Sequence, residues 1–588
     1  MKIVNDRKAE NIVAVVLAVV CCLLTAGLSF AATARFDPQK VHGPKIEKLC
    51  MVIVNNTDAQ ILAAVNGDLD IVSDIVRPSD IQIISRNKHF NTSMARAFHA
   101  FFMLINTQEG IWKDKYVRQA AAQAIDRNNI VRTIFSGYCE PINSWLPPVS
   151  PWALQGRSAN LFNRAAARAK LKKRGFKWGL DGMLIAPDGK PVKKMKLLTP
   201  LAKVAPTTAE LAEQVADSLR SAGFPVEAEP MDFSAMISKI DRKEYSLAVM
   251  AWSMGRNPDS LYGFYHSSMN IPGGYNYSGI SDKALDKALD SIVMAKTKEE
   301  ARKASDKAQI LLEDLVPSVP IYSRLSVAAV SNSWKNIITT ERMTADNMWT
   351  IMLAEPKNES AHSGSRKSSN NFKKTEKLNR PAARGRQKNE TKIMRMLLAE
   401  EPRNMNPFTA SSAYSWQVLG MMYEGLLETD PFTLEDAQGI AEKWSVNAGK
   451  NQTVIKFTLK PNLLWSDGSR LTSRDFARTV QFIKKNKIPR FLDAVKNVKS
   501  VSCPTERDIV VTLSGESYWY LDKIGGMLCM PAKTLDAVKD WQNWNPLDKS
   551  QKFGPYGFIC TGPFIFESYR PGEYVMMRRN NNYRRLKR

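Results

Sequence analysis

Leu398-Ala399-Glu400-Glu401-Pro402-Arg403-Asn404-Met405-Asn406-Pro407 opens a succession of short motifs. It runs on through Tyr423-Glu424-Gly425-Leu426-Leu427, Ala441-Glu442-Lys443-Trp444, Leu464-Trp465-Ser466-Asp467-Gly468 and Thr472-Ser473-Arg474-Asp475-Phe476. It closes with Thr561-Gly562-Pro563-Phe564 and Arg579-Asn580-Asn581-Asn582-Tyr583. Around these motifs the apolar pattern changes period. Thr453 to Leu459 alternates as a half-buried strand does, and Ile509 to Leu513 and Tyr574 to Arg578 read as further strands. A helix starts at Leu471-Thr472-Ser473, with Thr472 or Ser473 as its cap, and runs to about Lys485.

Upstream lies a second set of motifs. It comprises Gly67-Asp68-Leu69-Asp70-Ile71, Val117-Arg118-Gln119-Ala120 running to Ala124-Ile125-Asp126-Arg127, Ala251-Trp252, Tyr275-Asn276-Tyr277-Ser278 and Val319-Pro320-Ile321-Tyr322. Apolar residues recur at helical spacing from Val117 to Phe135, with Asp114 placed to cap. Further helices are expected over Thr207 to Ser221, Ser281 to Ala295, and Thr297 to Leu315 before Pro317. Strands are expected at Lys194 to Leu198, Val226 to Pro230 and Tyr245 to Ala251. This alternation of helix and strand predicts α/β lobes.

The two sets are separated by 356–390, a Ser/Asn/Lys-rich segment too poor in aliphatic residues to build a core, and therefore a flexible basic linker. As a coil it spans roughly 30–35 Å. At the other end, Ile12 to Leu24 is unbroken apolar sequence after Lys2, Arg7 and Lys8, followed by the small-x-small patterns Ser29-Phe30-Ala31 and Ala32-Thr33-Ala34. Residues 1–34 read as a cleaved signal peptide, or as a membrane anchor through 12–34 if the helix is retained. Export makes the five remaining cysteines candidates for pairing, yet their spacing fits no zinc motif and buried free thiols are expected for most.

A chain of 588 residues with 44% hydrophobic and 24% charged content is long enough for two or three domains. The net charge of +25 is partly local: 356–392 holds 11 Lys or Arg against 3 Asp or Glu. No zinc finger, RNA-recognition signature or basic–aromatic interleaving accompanies it, so no nucleic-acid partner is expected; an alkaline surface drawn to anionic headgroups explains the excess. The five histidines (His42, His89, His99, His266, His362) are scattered, and neither a phosphate loop nor a nucleophile elbow occurs. No catalytic residue, metal or cofactor is expected, and the chain is not read as an enzyme.

The order and spacing of residues 391–588 resemble the amino-terminal half of the family-5 extracellular solute-binding proteins, the peptide-binding components of ABC importers. Residues 43–355 resemble the carboxy-terminal half. In the family the Asn-x-x-Tyr end of the first half runs into a strand like Gly43-Pro44-Lys45-Ile46-Glu47-Lys48-Leu49. The resemblance implies a two-lobed α/β, type II periplasmic-binding-protein-like fold in circularly permuted order. In that order 43–355 supplies most of one lobe and part of the other, and 391–588 completes the latter. Arg588 and the surroundings of His42 should then lie together.

The same resemblance implies an exported, periplasmic, monomeric protein that closes its lobes over a peptide or peptide-like solute and presents it to an ABC permease of the inner membrane. The alternative is a membrane-tethered receptor, sensor or periplasmic chaperone on the same fold, or a rearranged product with impaired binding. Ligand contacts are expected from Trp252, Ser253, Gly255, Arg256, Asn257, Asp259 and Tyr275, and from the loop Asn406, Phe408 and Thr409. Trp252 would be an apolar wall. In the better-known members an aspartate shortly after this tryptophan pairs with the ligand's α-ammonium; Gly255 takes that place here. Either Asp259 reaches back, or the ligand lacks a free amine there. Arg256 beside the gap suits a carboxylate or other anion, or is simply solvated.

Overall fold

A computed structural model describes residues 37–154, 160–203, 205–271, 274–357, 393–402, 404–410, 412–551, 553–554 and 557–586. The expected leader 1–34, the linker from 358 onward and Arg588 lie outside the described residues.

The architecture follows from one long strand and its neighbours. In chain order the first elements are β1 (Lys48–Ile53), β2 (Ile71–Val72), β3 (Phe90–Arg96) and β4 (His99–Ile105). Helices α1 (Lys115–Ala124) and α2 (Arg127–Phe135), β5 (Cys139–Pro141), α3 (Arg164–Lys173), β6 (Met195–Pro200), α4 (Pro206–Ala222), β7 (Val226–Met231) and β8 (Leu247–Ser253) follow. After α5 (Ser260–Tyr265), α6 (Lys283–Val293) and α7 (Lys298–Leu315) comes β9 (Ser318–Ser331), which is 14 residues long. Its first part pairs antiparallel with β4 and β5, and its later part with β3 (Leu325↔Arg96 to Ser331↔Phe90) and β2. Only Ala97 and Phe98 separate β3 from β4. Two neighbouring strands therefore pass from one sheet into the next, and each sheet becomes the centre of a lobe.

The second lobe's sheet has the order β5-β9-β4-β8-β6-β7. Its central strands β4 and β8 are apolar on both faces over 102–105 and 247–250, as a sheet covered on both sides requires. Leu247 and Val249 of β8 join the core under α1, α2 and α4, while Ala248 and Met250 face the core under α6 and α7. The period of two is the same in β4, where Met103 and Ile105 face one core and Phe102 and Leu104 the other.

The first lobe draws on both halves of the chain. Strand β10 (Ile393–Leu398) lies parallel to β1, register Lys48↔Ile393 to Ile53↔Leu398. On its other side β1 pairs antiparallel with β18 (Tyr574–Arg579), which hairpins with β17 (Phe564–Arg570). Ile46, Leu49 and Met51 thus share one core with Met394, Met396, Phe564, Val575 and Met577. The backbone N–H of Gly43 donates to the Arg585 carbonyl (3.1 Å), and that of Arg579 to the Glu47 carbonyl (2.8 Å). The two halves do not close into separate domains. In the same lobe β11 (Leu427–Thr429) pairs with β12 (Asp436–Gln438). A four-stranded antiparallel sheet, β13 (Ala441–Gly449), β14 (Gln452–Leu459), β16 (Asp508–Ser514) and β15 (Val498–Ser502), packs with α8 (Ser473–Asn486). The short α9 (Tyr520–Gly525) follows β16.

Local signals behave as their chemistry demands. Thr472 and Asp475 form a reciprocal capping box at α8, and Gly223 (φ 110°) ends α4 in the left-handed region. One expectation is corrected. The single helix read over Val117 to Phe135 is two, because Ile125 is extended (φ −89°, ψ 114°) and Asp126 caps the second by accepting from the Asn129 N–H at 3.0 Å. Arg127, the first residue of that second helix, is buried and donates to the Pro320 carbonyl at 2.7 Å. All five described cysteines are free, four of them buried.

Candidate functional site

Strand β8 ends beside the crossing strands, with Ser253 opposite His99. There Trp252 stacks on Phe264 (4.6 Å, 20°) and Tyr277 (5.9 Å, 16°) and meets Tyr275 edge-on (5.7 Å, 79°). Tyr275 is 50% exposed, so this aromatic wall has an open face. The loop carrying the two tyrosines is held from beneath. Lys243 Nζ donates to the carbonyls of Asn276 (2.6 Å) and Tyr277 (2.8 Å), and the Tyr245 hydroxyl donates to the latter at 2.8 Å. Burial lowers the Lys243 pKa to about 8. Asn276, fully buried, donates to the Ile280 and His266 carbonyls. A rigid aromatic surface of this kind presents large contact area at little entropic cost.

The loop after Trp252 is anchored by the Met254 N–H donating to the Phe98 carbonyl (2.7 Å), at the joint between lobes. Gly255 is exposed, and the nearest atom to a Cβ added there is the Asn257 nitrogen at 4.0 Å. The glycine is therefore not enforced by crowding. Arg256 reaches across to the first lobe, where its Nη2 contacts Asp436 of β12 and Asp522 of α9, and its Nη1 donates to the Leu434 carbonyl at 2.7 Å. Burial pulls its pKa down, but the Asp522 and Asp436 carboxylates more than offset that, and the net direction is up. Asn257 donates to Asp522 at 2.6 Å. Asp259 lies 3.6 Å from Lys523; burial nevertheless raises its pKa, with Lys523 opposing. The anion expected beside Arg256 is supplied by the protein itself, and the salt-bridge partner of Asp259 is Lys523.

The same contact between lobes includes Lys298 with Glu435 (2.7 Å) and a buried tryptophan. Trp519, 2% exposed, stands just before α9, yet it inserts into the second lobe's core against Trp152 (5.4 Å) and donates from Nε1 to the Ile292 carbonyl at 2.7 Å. Nothing in the local sequence marks Trp519, Asp436 or Asp522 for this role, because their partners lie far away along the chain.

The 406–409 loop lies in the interior. Asn406 is fully buried and donates to the Trp541 (2.7 Å) and Trp544 (2.9 Å) carbonyls, while Phe408 packs on Phe482 at 5.3 Å. Thr409 accepts from Asn404 at 3.0 Å. The Asn406 amide thus organises its own loop and the Phe408 ring fills the core. Sequence reading also missed the polar cluster at the crossing. Arg324 pairs there with Asp74 (2.8 Å), and burial first, then Arg324, lowers the His99 pKa. Among the described residues no group of three or more His, Cys, Asp or Glu is placed to hold a metal ion. Surface depressions at Asn128–Arg132–Pro141 and at Gly179–Val192–Glu227 are lined by none of the residues of this wall.

Two α/β lobes joined by paired crossing strands, with an aromatic wall where one strand meets the joint, define a type II periplasmic-binding-protein fold. The chain belongs to the bacterial extracellular solute-binding proteins of family 5: the model described as "Bacterial extracellular solute-binding proteins, family 5 Middle" matches residues 31–271 and 437–588. It is 22% identical over 298 residues to "Probable di/tripeptide-binding protein 5" of Pseudomonas aeruginosa, covering 50% of this chain and 53% of that protein. It is 22% identical over 271 residues to oligopeptide-binding protein AppA of Bacillus subtilis, covering 45% and 47%. The solved structure of AppA in complex with a nonapeptide aligns at a TM-score of 0.43 and 21% identity, over 49% of this chain and 57% of that one. The chain thus spans about half the length of these curated relatives. Among the described residues no helix is long and apolar enough to cross a membrane.

Proposed function

We propose that this protein is the exported, periplasmic solute-binding component of an ABC importer, capturing a peptide or peptide-like solute between its lobes without catalysing a reaction on it. The observation that carries the reading is the Trp252–Phe264–Tyr275–Tyr277 wall at the joint between lobes, in a chain of this family. A peptide lying along it would be gripped by main-chain hydrogen bonds and apolar contact, with little demand on its side chains. Ligand contacts are assigned to Trp252, Ser253, Gly255 and Tyr275. Binding stabilises the closed arrangement, which the permease recognises.

Gly255 supports a particular class of ligand. It leaves no carboxylate for an α-ammonium at that point, and Asp259 has a salt-bridge partner in Lys523. The solute is therefore one whose amine is blocked, absent or solvated there. Calorimetric titration with free-amine and amine-acetylated versions of the same peptides tests this. Acetylated peptides should bind at least as tightly; binding of neither class, or a strong preference for the free amine, would overturn it.

The segment order is proposed to be a circular permutation of the family's. The hydrogen bond from Gly43 to the Arg585 carbonyl and the β1–β18 pairing support that reading. Opening the chain in the linker and joining residue 586 to residue 42 should give a protein with the same ligand affinity. Failure of that chain to fold would count against the permutation and not against the binding function.

A further inference from the structure

The segment that follows β16 is stitched from one lobe to the other and back. Its flanks belong to the first lobe. The Gly515 N–H donates to the Asn451 carbonyl (3.2 Å), and the Gly515 carbonyl accepts from the Thr453 hydroxyl of β14 (2.7 Å). At the far end Ile524 lies in the first lobe's core, with Tyr520 and Leu521 packed against it. Between these anchors the chain reaches into the second lobe. The Tyr518 N–H donates to the Ala295 carbonyl (2.7 Å), just beyond the end of α6, and Glu516 pairs with Lys296 (2.6 Å). The Trp519 ring sits in the second lobe's core, where its Nε1 donates to the Ile292 carbonyl in the last turn of α6 (2.7 Å). Asp522 and Lys523, in α9, then meet Arg256 and Asp259 of the loop after Trp252.

Every partner in this junction is a residue of the chain itself. Withdrawing a tryptophan from a packed core shifts an equilibrium roughly 10²–10³-fold, and the neighbouring hydrogen bonds and ion pairs act in the same direction. We propose that 516–523 is a latch: it holds the lobes closed by contacts internal to the chain, and solute exchange waits for Trp519 to leave the second lobe's core. Closed molecules then predominate before a solute adds contacts of its own. The consequence for exchange rests on the binding function proposed above; the latch itself does not. Its contacts are the same with and without solute, so weakening them speeds the opening of both forms. Association and dissociation quicken together, and the dissociation constant is unchanged as long as closed molecules still predominate. A contact made to the solute would instead change the dissociation constant.

The test is the distance between the lobes, read by pulsed electron paramagnetic resonance on the full chain. Spin labels at Leu180→Cys in the second lobe and Val446→Cys in the first occupy exposed positions, and Cys503→Ser removes the one described cysteine that is not buried. Protein washed free of solute in mild urea should show one short distance, unchanged when an amine-acetylated tripeptide is added. Trp519→Ala should add a longer population. Asp522→Asn keeps the side chain's shape and removes its charge. It should retain the short distance and raise both rate constants for the tripeptide about tenfold, the worth of one charge-assisted hydrogen bond. A mainly long distance in the solute-free parent would overturn the proposal. So would a Trp519→Ala protein as closed as the parent, or an Asp522→Asn protein whose dissociation constant rises tenfold with association unchanged. If Trp519→Ala does not fold, the parent's distances and Asp522→Asn decide. Absence of peptide binding in the parent counts against the binding function, and the solute-free distances then judge the latch alone.

Discussion

Arg256→Ala should loosen the contact between the lobes, and the size of the effect follows from burial. The guanidinium is 18% exposed, and its partners Asp436 and Asp522 are 21% and 29% exposed. Breaking a fully buried pair costs about 3–5 kcal/mol, whereas an exposed pair is worth about 0–1. Groups this close to buried should fall between, at about 2 kcal/mol. Asp522 keeps Asn257 as a donor, so most of the penalty falls on Asp436, which loses its cation, and on the Leu434 carbonyl. About 2 kcal/mol changes the ratio of closed to open molecules roughly 30-fold. Hydrogen exchange should quicken at 434–436 and 519–523 and not in the β4–β8 core. In a double-mutant cycle with Asp436→Asn, urea unfolding should give a coupling of about 1–2 kcal/mol. A coupling within about 0.3 kcal/mol of zero, with exchange unchanged, would refute the reasoning.

Trp519→Ala removes a side chain buried in the other lobe's core and should cost about 3–5 kcal/mol in urea unfolding. Gly255→Asp should fold normally, because its Cβ meets open space, and should tighten free-amine peptides about tenfold in calorimetry by supplying the missing carboxylate. His99 has a folded pKa below its ordinary 6.5, so the unfolded chain binds that proton more readily. Its contribution to stability is present above pH 6.5 and lost as pH falls through the lower folded value; melting curves of His99→Gln should lack that part of the acid sensitivity. Burial pushes the Cys50 thiol up to about 11 and Cys139 and Cys560 up to about 12, so a thiol reagent at neutral pH should label Cys503 alone among the described cysteines until the protein unfolds.

Local chemistry made much of the fold legible. The start of α8 was legible from Thr472 as a candidate cap, because a capping signal acts within one turn of chain. The break at Ile125-Asp126 was not, since an aspartate that caps and one that is solvated on a continuous helix look alike in sequence. The length of β9 was hidden too. Only Val319 to Tyr322 stood out as a motif, while the polar Ser323-Arg324 in its middle, where the strand passes between lobes, masks the continuity.

At the candidate site, Trp252 and Tyr275 stood out in sequence, and the fold brings their rings together edge-on. The fate of Arg256 was not, because its partners at 436 and 522 come from the other half of the chain. The partners of Asn406 were hidden for a related reason: a short amide that organises a loop through backbone carbonyls has the same composition as one that meets a ligand.

The most direct test of the account is native mass spectrometry of the full protein incubated with a defined mixture of acetylated peptides. The account predicts a single peptide bound per chain in the parent, lost in Trp252→Ala, which removes the centre of the aromatic wall. A folded parent that stays at its unliganded mass throughout the mixture, or a Trp252→Ala variant that retains the peptide, would contradict it.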